Sequence, residues 1–298
     1  MMAPTAWMAF VAGRTRAARA CLLFAVAISP VVTRAEPIET EHLFGFTIGS
    51  DIGDVGDREI EGSLTGRFAK RTGSYQATDT TLSAEFVPIA NLRTEYSGAL
   101  VSYQVGGVSG FADQRYTAFG GLAADFRYRF LDRASAPFGF ALGAEPHWGR
   151  ADEMTGEPGN QFGIDFVAAA DIEIVPERIV AAFNLIYQPE SMRAQSTGIW
   201  SHESEGGLAI GVMAQIHDGI FVGGEARYLR RYDGLALDTL SGQGLFVGPT
   251  VYVKLSQQAW MAVAWSEQVA GHTAISAGAL DLINFEHRQI RLLFGVSF

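Results

Sequence analysis

From Phe162 to Ile174 the even positions read Phe162, Ile164, Phe166, Ala168, Ala170, Ile172 and Ile174, while Gly163, Asp165, Asp171 and Glu173 stand between them. Side chains of an extended chain alternate between two faces, so this segment has one wholly apolar face and one that carries carboxylates. A helix would scatter both sets around its axis. The same split recurs at Phe138, Phe140, Leu142, Ala144 and Trp148 against Glu145 and His147. It recurs again at Leu208, Ile210, Val212, Ala214 and Ile216, and at Leu245 to Leu255 with Thr250, Tyr252 and Lys254 opposite. A chain that is 48% apolar thereby avoids long apolar runs. No stretch after residue 35 approaches the roughly 18 apolar residues of a spanning helix, so any membrane crossing falls to strands.

Connections separate a soluble sandwich from a barrel. Tight turns at Pro176-Glu177-Arg178, His217-Asp218-Gly219 and Ser256-Gln257-Gln258 alternate with longer polar stretches at 150–160, 190–205 and 233–243. Short turns at one end and long loops at the other form the pattern of an outer-membrane barrel. The expected strands lie near 58–70, 80–87, 92–104, 115–130, 137–149, 161–174, 179–189, 206–216, 220–232, 244–255, 259–269 and 284–298. The predicted fold is all-β: a single antiparallel, up-and-down transmembrane β-barrel of about 12 strands, with 10 or 14 as neighbouring solutions.

Arg14, Arg16 and Arg19 precede the apolar run Ala20 to Val32 and the small-residue site Thr33-Arg34-Ala35. That order reads as a secretory signal cut after Ala35. Residues 1–35 are therefore expected to be a signal peptide, 36–57 an N-terminal periplasmic or plug segment, and 58–298 the barrel. The one cysteine, Cys21, falls within the signal, which excludes disulfides and thiolate metal sites from the remainder. All 32 acids follow Ala35 and four of the 22 Lys and Arg precede it, so the remainder carries a formal charge of −14. Such a charge excludes a nucleic-acid partner.

The final segment, Ile290-Arg-Leu-Leu-Phe-Gly-Val-Ser-Phe298, puts Ile290, Leu292, Phe294, Val296 and Phe298 on one face. It resembles the C-terminal signal of Gram-negative outer membrane β-barrel proteins. That resemblance implies an outer-membrane address, contact with membrane lipid, and recognition of the Phe298 strand by the barrel assembly machinery. The stretch Leu43-Phe-Gly-Phe-Thr-Ile-Gly-Ser-Asp-Ile-Gly-Asp54, followed by Gly66-Arg-Phe-Ala-Lys-Arg-Thr-Gly-Ser-Tyr75, resembles an uncharacterised proteobacterial group of barrel proteins. This second likeness covers about the first quarter of the chain after the signal and carries over no active residue.

The alternation assigns candidate lumen-lining residues. The acids are Glu59, Glu61, Glu85, Glu95, Asp125, Glu145, Asp165, Asp171, Glu173 and Glu225. With them stand Arg67, Arg93, Arg127, Arg129, His147, Arg227, Lys254 and Arg291. Mixed charge on an inner wall suits a polar channel that selects solutes, and equally a filled lumen of paired charges. The leading expectation is a porin-like channel or transporter for small polar solutes, with 190–205 and 269–283 as constricting loops. The alternative is a non-conducting structural or surface-interaction barrel.

Glu145 and His147 point the same way, but two ligands are too few for a metal. Asp51-Ile-Gly-Asp-Val-Gly-Asp57 lacks the spacing of a calcium loop and reads as a solvated turn. The preceding Leu43, Phe44, Phe46 and Ile48 suit either a short extra strand or a plug. Ser201, His202 and Ser204 share one stretch without a placed acid, so no enzyme is expected. Neither a cofactor nor a metal is expected. Trp148, Trp200, Trp260, Trp265, Tyr187 and Tyr228 fall near strand ends and read as interface anchors.

Overall fold

The computed structural model describes residues 38–275 and 278–298; the expected signal, 1–35, lies outside the described residues. The strands are β1 (Arg58–Phe68), β2 (Ser74–Ile89), β3 (Leu92–Gly106), β4 (Gln114–Leu131), β5 (Gly139–Ala151), β6 (Pro158–Val175), β7 (Ile179–Ala194), β8 (Trp200–His217), β9 (Ile220–Asp233), β10 (Thr239–Lys254), β11 (Ala259–Thr273) and β12 (Arg288–Ser297). Each pairs antiparallel with its neighbours in chain order, and β1 pairs with β12 to close the barrel. Closure leaves no open edge, which is the only way a sheet can sit in hydrocarbon.

The exterior follows from the alternation. Every one of the twelve strands places large apolar side chains on the outer surface, from Ile60 and Leu64 on β1 to Ile290 and Phe294 on β12. In water a belt of this kind would drive aggregation; against acyl chains it is the lowest-energy surface available.

Two-residue loops, Ala90-Asn91 and Asp218-Gly219, close hairpins at one end. Asn91 and Gly219 take positive φ there and each ladder shifts register beside the turn, the pattern of a type I turn closed by a bulge. At the other end the connections are shorter than their polarity suggests. β7 and β8 extend to Ala194 and from Trp200, so the expected loop 190–205 shrinks to 195–199. Likewise 150–160 shrinks to 152–157 and 233–243 to 234–238. Polar residues do not end a strand whose partner still offers a ladder: Glu190 pairs with Glu203, and Arg193 with Trp200. The 190–205 stretch is thus wall rather than constricting loop. The connection 274–287 is the long one, and its described part turns inward, with Asp281, Phe285 and Glu286 buried.

Residues 38–52 form no strand. They lie inside the barrel, where Ile38, Leu43 and Phe44 pack with Val180, Ala182, Met213 and Phe221. Burying a side chain such as Phe44 is worth about 1.5–3 kcal/mol. The expected solvated turn 51–57 is one only from 54 onward, since Ile52 is buried and Asp51 pairs with Arg133. A second apolar cluster, including Tyr75, Val101 and Tyr103, fills the inner wall toward the loop end.

Candidate functional site

The N-terminal segment is held by side chains that the alternation sends inward. The Glu225 carboxylate accepts the backbone N–H groups of Gly45 and Phe46 at 2.8 Å each and of Thr47 at 2.5 Å, and also the Thr250 hydroxyl. Asn184 accepts from Ile48 N–H and donates to Ile48 carbonyl, both at 2.7 Å. Asp171 accepts from Thr40 hydroxyl and Ser50 N–H and pairs with Arg133 at 2.6 Å. Glu173 accepts the Ile38 N–H, and Arg133 donates to the Ile38 carbonyl. Arg291 donates to the Gly45 carbonyl at 3.1 Å, and the Arg227 guanidinium lies 4.0 Å from the Phe46 ring. Arg129 approaches Asp51 at 3.8 Å. Strands supply these partners because a chain without regular structure cannot satisfy its own N–H groups when buried.

A second group surrounds His42. Arg93 lies within 3.5 Å of Glu41, Glu85, Glu95 and Asp125, and Arg127 within 3.6 Å of Asp125. His42 Nε2 stands 3.3 Å from Glu59, and Nδ1 3.7 Å from Glu61. Burial, with the charges of Arg93 and Arg127 behind it, holds the imidazole well below its usual range. Burial, reinforced by Glu85, pushes the Glu41 carboxyl well up. Trp260 is buried and stacks on His42 at 4.3 Å, which removes it from the expected interface anchors.

Two cavities lie between the described residues of the segment and the wall. The smaller, about 360 Å³ near the short turns, is bordered by Glu39, Asp57, Glu59, Glu85, Tyr252, Trp260 and Lys254 among others; Lys254 is itself exposed. The larger is about 590 Å³. Glu41 and His42 border both. On one side of the larger chamber β5 to β8 present Glu145, Asp165, Glu190, Glu203 and Glu205. His147 sits between Asp165 and Glu190, at 3.8 and 3.9 Å, and Arg231 between Glu203 and Glu205, at 3.5 and 3.6 Å.

The loop end is narrowed by residues 281–287 and 153–154. Arg67 pairs with Asp79 at 2.8 Å and with Glu153 at 3.1 Å, and Phe285 packs on Leu229 and Phe246. Burial raises the Glu286 carboxyl, but Lys70, Arg67 and a hydrogen bond from Gln289 outweigh it and hold the group below its ordinary range. Burial pushes the Lys70 ammonium down to about 8.

All the lumen candidates except exposed Lys254 are wholly or partly buried. Glu190, Glu203 and Glu205 escape the sequence reading because it places them in a loop. His42, Glu41 and Arg133 escape it because no periodicity marks a segment without regular structure. His202 meets Ser191, at 2.8 Å, rather than Ser201 or Ser204, and Ser204 donates to the Gly234 carbonyl.

Residues 36–298 match a protein family described as a family of unknown function (DUF6662). No curated protein matches the chain. Among solved structures, the COG4313 outer membrane channel from Pseudomonas putida F1 has a TM-score of 0.58 at 12% identity, covering 84% of this chain and 98% of that one. The translocator domain of the autotransporter NalP from Neisseria meningitidis has a TM-score of 0.48 at 13% identity, covering 84% and 91%. The first likeness is one of fold: a closed barrel of the outer-membrane type.

Proposed function

The chain belongs to the DUF6662 family, and on that premise we propose that it is an outer membrane channel for small polar solutes, with a preference for cations. The observation that carries this reading is the pair of polar cavities, about 360 and 590 Å³, that meet at Glu41 and His42. With Glu41 set aside, acidic side chains bordering the larger cavity outnumber guanidiniums nearly two to one: Glu61, Asp79, Glu95, Asp125, Glu145, Glu153, Asp165, Glu190, Glu203, Glu205 and Glu286 against Arg67, Arg93, Arg127, Arg227, Arg231 and Arg291. An excess of one sign of charge on the wall of a narrow path raises the local concentration of the opposite ion. The solved barrel of similar fold is itself an outer membrane channel. In this reading residues 1–35 direct export, 38–52 plug the turn end, the apolar exterior meets lipid, and the strand ending at Phe298 is read by the barrel assembly machinery.

The test is reconstitution in planar bilayers. Discrete conductance steps are expected, with a reversal potential on the cation-selective side under a KCl gradient. Silence across salts and voltages, or anion preference, contradicts the proposal. One observation favours a second reading, a non-conducting barrel: the backbone N–H groups of residues 45–48 are all taken by wall side chains. That barrel stays silent in the same experiment even after the segment is loosened.

A further inference from the structure

Glu59 and Glu61 are two apart on β1, so both side chains leave the same face of the strand. Pairing fixes what surrounds them. Glu59 lies opposite Ser297 on β12 and Glu85 on β2. The Trp260 indole N–H donates to one Glu59 oxygen at 2.9 Å, and the Ser297 hydroxyl to the other at 2.6 Å. The same indole stacks on the His42 ring with an interplanar angle of 11°. One tryptophan therefore orients both a carboxylate and an imidazole, as outer-shell partners do at metal centres.

The imidazole presents an electrostatic problem. Carboxylates face both of its nitrogens, Glu59 at 3.3 Å and Glu41 at 3.7 Å from Nε2, and Glu61 at 3.7 Å from Nδ1. Whichever ring nitrogen carries no hydrogen offers its lone pair to a cation. Among the described residues Glu61 accepts no hydrogen bond, and no Lys or Arg pairs with Glu59 or Glu61 within 4.0 Å. The neighbouring Glu41 and Glu85 differ in this respect, because Arg93 pairs with both. One ligating atom from each of His42, Glu59 and Glu61 falls within 4.8 Å of the others. Bonds of about 2.0–2.2 Å around a tetrahedral zinc ion put ligand atoms about 3.3–3.6 Å apart, a span the free Glu61 arm can close.

We propose that His42, Glu59 and Glu61 bind one divalent metal ion of the zinc class, tying the N-terminal segment to strand β1. The ion supplies a positive charge to two carboxylates that no Lys or Arg reaches among the described residues. A set of one imidazole nitrogen and two carboxylate oxygens suits zinc better than calcium, which takes oxygen ligands. The ion reaches its ligands from the cavities that adjoin His42 on either side. The competing arrangement is an imidazolium held between the two carboxylates, which needs no metal.

The experiment uses the barrel folded from residues 36–298, stripped with EDTA and titrated with ZnCl₂ by calorimetry at pH 7. One equivalent is expected, with a dissociation constant of about 10 µM or tighter. His42→Ala and Glu61→Gln should each weaken binding at least tenfold, while Glu177→Gln in an exposed turn leaves it unchanged. His42→Gln, which retains a planar group over Trp260, serves where the alanine variant does not fold. Cobalt substitution adds a spectroscopic readout: visible d–d bands on the parent protein that are absent from both site variants. The absence of a saturable equivalent overturns the proposal. So does an equivalent with the same affinity in both variants, which would place zinc on exposed histidines.

Discussion

The anchoring of residues 45–47 by Glu225 can be tested by Glu225→Ala. Three backbone N–H groups and one hydroxyl lose their acceptor at once. Hydrogen bonds to a charged group contribute about 1.5–3 kcal/mol each, so the three amides represent roughly 4.5–9 kcal/mol before compensation. Water entering the vacated volume restores part of this, leaving about 3–5 kcal/mol lost. At 1.4 kcal/mol per factor of ten, the segment should open about a hundred- to a few thousandfold more often. Hydrogen exchange read by mass spectrometry on a peptide spanning 43–48 measures this directly. Glu225→Gln, which keeps one carbonyl oxygen, should fall between parent and alanine variant. Peptides from β1 and β12 should keep their protection, because barrel closure does not run through this residue. Protection at 45–47 that stays within tenfold of the parent refutes the anchoring argument, whatever the protein conducts.

Other outcomes follow from the same geometry. A Cβ added at Gly211 would fall 2.5 Å from the Phe44 ring, so Gly211→Ala should expel that ring and speed exchange at 43–46 while β8 remains paired. Glu286 is held below its ordinary value of 4.5, so its contribution to the inward fold of residues 278–287 is present above about that pH and lost as pH falls through the lower folded value. Proteolysis of that loop should therefore accelerate in acid, and faster cleavage at neutral pH would contradict the assignment. Glu145→Gln combined with Asp165→Asn removes two carboxyl groups from the β5–β6 wall and should move the reversal potential toward zero. Deleting Phe298 should lower the yield of folded, heat-modifiable barrel in outer membranes, and an unchanged yield counts against recognition of that strand.

Much of this architecture is legible in side-chain order. The even–odd split at 162–174 yields β6 with its face assignment, and Asp218-Gly219 yields the hairpin between β8 and β9. Errors concentrate where polarity stands in for geometry. Glu190, Glu203 and Glu205 read as loop because they are charged, yet charge on an inward face is compatible with a paired strand. Trp260 reads as an anchor from its position near a strand end, whereas its even parity on β11 sends it inward beside Ala262 and Ala264. The inward apolar residues Val180, Met213 and Phe221 carry no signal at all until Phe44 is placed against them.

By itself the sequence settles that strands form, which face of each is greasy, and that the opposite face is charged, because a two-residue period acts locally and requires no knowledge of neighbours. Which charges meet is a different matter. Glu59 finds Ser297 and Trp260 through closure of the first strand on the last two, and His42 reaches Glu61 through a segment without periodicity. Contacts inside the barrel join residues as many as 246 positions apart. Only the shear and closure of the whole wall set the height at which each inward side chain stands, and so decide its partner.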